Sequence, residues 1–182
     1  AFSYKDPKQE QERSGFITQG WPKKPSHFIA GALGLPIERN SRKIKHPLTI
    51  YSFITLFIII HFLGTSTNHV AFVETWGFIA KDFQRSFFLT FITSFFLHGS
   101  WFHLIGNAYY FYVFGDDVED DMDLFSFLSL LMGGHVFAII LHGFLAGRTD
   151  VPLIGASAGI SALLGYYMIR FPKRQISYMI FF

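Results

Sequence analysis

The hydrophobic residues of this chain are gathered into long runs rather than short alternations, and those runs predict helices that cross a bilayer. The first spans about Leu48 to Gly64, starting after Pro47 and ending at a Gly-Thr-Ser-Thr-Asn cluster. Residues 65–85 form a mixed connection with Trp76, Lys81 and Arg85, too polar to span. From Ser86 to Gly115 the chain has no Asp, Glu, Lys or Arg, and this stretch exceeds the roughly 20 residues of one crossing. Gly99-Ser100 is the natural break. Phe87 to Leu97 therefore reads as a loop or membrane-dipping segment, and Trp101 to Gly115 as the second span. A third covers about Leu124 to Ala146, and a fourth Val151 to Phe171, closed by Phe171-Pro172-Lys173-Arg174. A fifth begins at Ile176 and is cut short at Phe182.

Residues 1–46 are polar, basic and rich in Gly and Pro, without sustained period, and read as a largely irregular cytoplasmic tail ahead of a membrane domain over 47–182. Within the tail, His27 to Ile37 is mildly apolar and reads as a flexible linker or a segment on the membrane surface. With a tail of 46 residues ahead of it, the first span reads as a membrane crossing and not as a cleavable signal peptide. A chain that starts at Ala1 and stops inside an apolar run reads as a piece of a longer protein. The expected fold is all-α, a polytopic transmembrane helix bundle truncated before its last helix.

Composition agrees with a membrane protein. Hydrophobic residues make up 51% and charged residues 15%, against about 25% charged in a soluble domain. The absence of cysteine excludes disulfides and thiolate chemistry. Nine of the fifteen Lys and Arg lie in residues 1–46, while Asp116, Asp117, Glu119, Asp120, Asp121 and Asp123 crowd one segment. With the N-terminus inside, Lys and Arg divide twelve to three between inner and outer segments, so the basic tail reads as a topology signal and not as a nucleic-acid site.

Two polar clusters interrupt the apolar sequence: His98-Gly-Ser-Trp-Phe-His103-Leu-Ile-Gly-Asn107, and Gly155-Ala-Ser157-Ala-Gly159. Polar groups in lipid are costly and mark function. A serine needs a base to take its proton and donors to hold the oxyanion of its tetrahedral intermediate. His103 and Asn107, four apart, share a helix face and can donate toward Ser157. Gly155 and Gly159 leave room for substrate and for backbone N–H groups pointing inward. His98 joins the site only if the helix breaks at Gly99, and a stabilising hydrogen-bond role suits it better. Spans two and four both enter from the outer side, with Ser157 about six residues into its span. A rise of about 1.5 Å per residue then brings the two clusters to similar depth.

Other chemistries are open or fail on residues. Gly155-x-x-x-Gly159, continued by Ser161 and Gly165, is also the small-residue pattern of closely packed membrane helices. The serine motif with Val151 to Ile154 as a strand would suit an α/β-hydrolase elbow, which the surrounding apolar runs oppose. No H-E-x-x-H metal motif is present, and Gly115-Asp116 lacks the upstream glycine of an intramembrane aspartyl site. His135 and His142 share a face of span three and, with His61 and His103, offer haem ligation as a further class.

These residues resemble the rhomboid family of intramembrane serine proteases, whose second helix carries H-x-x-x-x-H-x-x-x-N and whose fourth carries G-x-S-x-G. The likeness covers roughly Phe87 to Lys173 and includes Leu97-His-Gly-Ser-Trp, Phe114-Gly115 with Val118-Glu119, His142, and Val151-Pro-Leu-Ile-Gly-Ala-Ser. It implies a six-helix core, Ser157 as nucleophile, and an oxyanion hole from the Ser157 amide, His103 and Asn107. It also implies that His98 supports the site, that Glu119 holds the core together, and that the reaction needs neither metal nor cofactor. Substrates would be transmembrane proteins cut near the outer face. The alternative within the fold is an inactive relative that binds and escorts transmembrane segments.

Two departures from the family pattern stand out. Leu89-Thr90 occupies the place of a family Trp-Arg pair in the loop after the first span. The family's general base is a histidine about fifty residues after the serine, whereas Phe182 lies twenty-five residues after Ser157. His142 is a poor substitute, being no base in the family. Residues 1–182 alone are expected to be inactive.

Overall fold

The computed structural model describes residues 36–38, 47–82, 84–145, 150–174 and 176–177. The expectations for residues 1–46 therefore lie outside the described residues, except at Pro36, Ile37 and Glu38. The chain divides into two compact units, residues 40–175, and residues 1–39 with 176–182. In the smaller unit β1 (Ile37–Glu38) pairs antiparallel with β2 (Ile176–Ser177), Ile37 opposite Ser177. The fifth helix expected from Ile176 is thus extended at its first two residues.

The described part of residues 40–175 forms an all-α bundle. Its helices are α1 (Leu48–Thr65), α2 (His69–Trp76), α3 (Thr90–Phe96), α4 (Trp101–Asp121), α5 (Leu124–Leu145) and α6 (Ser157–Arg170), with short 3-10 turns at Ala80–Asp82 and Arg85–Phe88. Among the described residues, α1 and α5 are long and apolar enough to cross a bilayer. Large apolar side chains point outward, Phe102 at 90% exposure, Phe144 at 83% and Ile169 at 84%. A lipid-facing surface accounts for such exposure.

α1 starts as expected after Pro47, which has no side chain to cap it. Its orphan amides are met from another helix, as the carboxylate of Glu119 in α4 accepts from the N–H groups of Thr49 (2.9 Å) and Ile50 (3.2 Å). At the α1–α4 crossing a side chain on Gly115 would run into Ile50. α4 continues six residues beyond the Gly115 end expected from hydropathy. Several acids of that last stretch have partners. Asp117 pairs with Arg174 at 3.0 Å, and Asp121 takes Arg170 at 2.7 Å and the Tyr166 hydroxyl at 2.6 Å.

The core is rich in aromatic side chains, with Phe57, Phe95, Phe111, Phe127 and Tyr167 buried beside aliphatic residues such as Ile50 and Leu131. α5 and α6 approach through small residues: a Cβ on Gly134 would lie 2.5 Å from that of Ala162, and one on Gly159 would lie 2.6 Å from the Leu131 carbonyl oxygen. This is the close backbone packing that glycine permits between membrane helices.

The fourth span differs most from expectation. Helix begins only at Ser157, and Val151 to Ala156 is non-helical. Leu153 pairs there with Phe78 in an isolated bridge, N–H to carbonyl at 2.7 and 3.1 Å. Hydropathy cannot separate a buried extended segment from a buried helix, and the pairing that decides it is remote in sequence. One bridge in a helical bundle is not the sheet that an α/β-hydrolase elbow requires.

Candidate active site

The chain does break at Gly99, and the break is built locally. His98 to Ser100 are non-helical, and the Ser100 Oγ caps α4 by accepting from the His103 N–H at 3.2 Å. His98 is buried, its Nδ1 3.2 Å from the Phe96 carbonyl oxygen and its ring 5.2 Å from that of His103. It therefore lies beside the site and also fixes the fold. The His98 carbonyl oxygen is met by His61 Nδ1 and His69 Nε2, each at 3.1 Å. These two histidines were not singled out as a brace, because their partner is a backbone atom remote in sequence.

The second cluster meets the first at Gly155. This residue has φ +112°, a backbone conformation that side chains disfavour. A Cβ built on it would lie 2.8 Å from His103 Cε1, 3.0 Å from His103 Nε2 and 3.9 Å from Asn107 Nδ2. The glycine is thus required both by conformation and by the approach of the two side chains. The Asn107 Nδ2 is buried without a hydrogen-bond partner among the described residues. An unsatisfied buried donor costs about 1–3 kcal/mol, so its retention at the meeting point of the clusters is informative.

Ser157 is the first residue of α6 and is exposed. It is therefore not six residues into a helix, and a depth computed from helical rise does not apply to it. Contact at Gly155, not matching depth, joins the clusters. Among the described residues the Ser157 hydroxyl has no hydrogen-bond partner, and its carbonyl accepts from the Ser161 hydroxyl at 2.7 Å. The two motif glycines have different surroundings. Gly155 faces His103 and Asn107, but its N–H donates to the Ser94 carbonyl at 2.8 Å and is not aimed inward. Gly159 leaves no room for substrate, since its bare Cα packs against Leu131 and Phe95.

One of the candidate haem ligands is engaged elsewhere. His135 is buried, its Nε2 lies 3.0 Å from the Ser94 Oγ, and its ring meets Phe95 edge-on. Among the described residues no three His, Cys, Asp or Glu side chains are grouped to hold a metal ion.

The class defined by these features is a helical integral membrane protein with a serine at a helix N-terminus, two residues after a glycine turn that meets a part-buried histidine and a buried asparagine. The family model of the Rhomboid domain matches residues 85–182, over half of the chain, and the protein belongs to the rhomboid family. No curated protein matches it in sequence.

Proposed function

We propose that the protein is an intramembrane serine endopeptidase that cuts transmembrane substrates near the outer membrane face through an acyl-enzyme on Ser157. The observation carrying this reading is the approach of the Gly155 turn to His103 and Asn107, with the Asn107 amide nitrogen buried and unpartnered beside it. Family membership supports the same class of activity.

In the proposed reaction the Ser157 hydroxyl gives its proton to a base as its oxygen attacks the scissile carbonyl. The Ser157 N–H is one of the amides that a helix start leaves unpaired, at the end where partial positive charge gathers. Together with His103 and Asn107 it donates to the oxyanion. Collapse breaks the C–N bond, the amine departs with the proton, and water hydrolyses the ester. The rhomboid resemblance assigns the base to a histidine on a later helix, and the face of α6 bearing Ser157, Ser161 and Gly165 is exposed to receive one. Metal and cofactor have no part in this scheme. His98 and Glu119 act by support, the first through its bond to the Phe96 carbonyl at the end of α3 and the second through the α1 cap. The tail and the twelve-to-three division of Lys and Arg support an N-terminus in the cytoplasm.

Fluorophosphonate labelling of the full-length protein in detergent tests the nucleophile. Labelling that vanishes in Ser157→Ala is expected, and labelling unaffected by that change overturns the assignment. A full-length protein that takes no label at all supports instead the inactive relative that escorts transmembrane segments.

A further inference from the structure

Ser94 and His135 are two fully buried polar side chains that the proposed chemistry does not use, at 0% and 2% exposure. Neither is tolerable alone in an apolar interior, and each satisfies the other, Ser94 Oγ to His135 Nε2 at 3.0 Å across α3 and α5. Burial of such a pair is a cost that apolar residues of the same shape would avoid. What the pair does for the site follows from the other end of Ser94.

Ser94 lies in the last turn of α3, where its carbonyl accepts only a long hydrogen bond, 3.4 Å, from the Leu97 N–H and keeps room for a second donor. Its carbonyl takes the Gly155 N–H at 2.8 Å, the hydrogen bond that holds the chain where it turns into α6. The adjacent Phe95 closes the same assembly. Its ring stands 5.3 Å from that of His135, and its Cε2 would lie 2.8 Å from a Cβ on Gly159. One short helix thus touches α5 by a side chain and both motif glycines on either side of Ser157.

We propose that His135, acting through Ser94, is a positioning residue that sets the Gly155–Ser157 turn against His103 and Asn107. This rests on the serine-protease reading for its effect on rate, though the geometry stands apart from it. Loss of the side-chain bond frees α3 to shift, the Ser94 carbonyl leaves the Gly155 amide, and the serine moves relative to its oxyanion donors. A displacement of about 1 Å at a reacting group costs about 100-fold in rate.

The test compares full-length His135→Leu, His135→Gln, Ser94→Ala and the Ser94→Ala/His135→Leu double variant with the parent protein. Gln carries a side-chain amide that can replace the Nε2 hydrogen bond, and Leu cannot. Readouts are the rate of fluorophosphonate labelling at Ser157, amide exchange by peptide, and thermal unfolding in detergent. His135→Leu is expected to slow labelling about 10- to 100-fold and to accelerate exchange in residues 151–157 but not in α4, with His135→Gln recovering most of both. The double variant is expected to match the worse single variant, since both remove one bond. Labelling within threefold of the parent, unchanged exchange in 151–157, or exchange rising alike throughout the bundle would each overturn the proposal. If the parent takes no label while exchange rises only in 151–157, the protease reading fails and the positioning stands.

Discussion

Gly133 and Gly134 are neighbours on α5, yet alanine is expected to have opposite effects at the two positions. A Cβ on Gly133 meets nothing within 4 Å, whereas one on Gly134 would lie 2.5 Å from Ala162 Cβ and 3.3 Å from the Ala158 carbonyl oxygen. Ordinary carbon contacts need about 3.5–4.0 Å, so α5 and α6 must part by about 1 Å to admit the methyl. Overpacking of this kind costs about 1–3 kcal/mol, while replacing a helical glycine by alanine gains up to about 1 kcal/mol at either site. The helix-propensity gain is common to both variants, and the difference between them isolates the clash. Gly133→Ala is expected to be neutral or stabilising, and Gly134→Ala to lie about 1–3 kcal/mol below it in reversible unfolding by SDS in mixed micelles. Because α6 begins with Ser157, the same 1 Å should slow fluorophosphonate labelling in Gly134→Ala by about 100-fold. Unfolding free energies equal within about 0.5 kcal/mol would refute the interhelical packing argument.

Glu119→Ala removes the acceptor of two α1 amides and is expected to destabilise by about 2–3 kcal/mol, with Glu119→Gln losing less because one acceptor oxygen remains; the same unfolding assay measures both. Asn107→Ala is expected to slow Ser157 labelling by about 100-fold or more while leaving stability unchanged or slightly raised, since the lost amide donor has no partner. On the acid side, the Ser126 hydroxyl and amide donating to Asp123 hold its carboxyl below the usual carboxylate range at the start of α5. Its stabilising effect is therefore complete above the unfolded carboxylate value and fades as pH falls through the lower folded value. Asp123→Asn is expected to flatten that part of the unfolding–pH curve, and an unchanged slope would exclude Asp123 as its source.

The long apolar helices were legible because composition alone bounds them. Pro47 marks the start of α1, and Asp123 stands just before α5. Where expectation and structure part, the deciding interaction is remote in sequence. α4 runs on to Asp121 because Arg170 and Arg174, far along the chain, partner its acids. Val151 to Ala156 avoids helix because Phe78 and Ser94 take its amides. The motif residues could be singled out because each is costly in lipid unless it has a purpose. Ser94 and His135 carry the same cost, yet their bond joins positions 41 apart and leaves no spacing signature. His61 and His69 stayed hidden for a related reason, since what they hold is the backbone carbonyl of His98.

The Gly155-Ala-Ser157-Ala-Gly159 motif supports two readings, a packing stripe and a serine site, and they compete only if the segment is one helix. A helix would bring residues four apart to the same face. Because α6 starts at Ser157, Gly155 is off the helix in a left-handed turn and Gly159 is on it. The first glycine admits His103 and Asn107 to the serine's neighbourhood, and the second admits the backbone of α5 and the ring of Phe95. Helix packing and the approach of His103 and Asn107 thus fall to different glycines, and Ser157 stands between a turn held by α3 and a helix packed on α5. The small-residue pattern is compatible with either function and discriminates neither. The break in the helix separates them, and it depends on the bridge between Phe78 and Leu153 and on the amide of Gly155 held by Ser94.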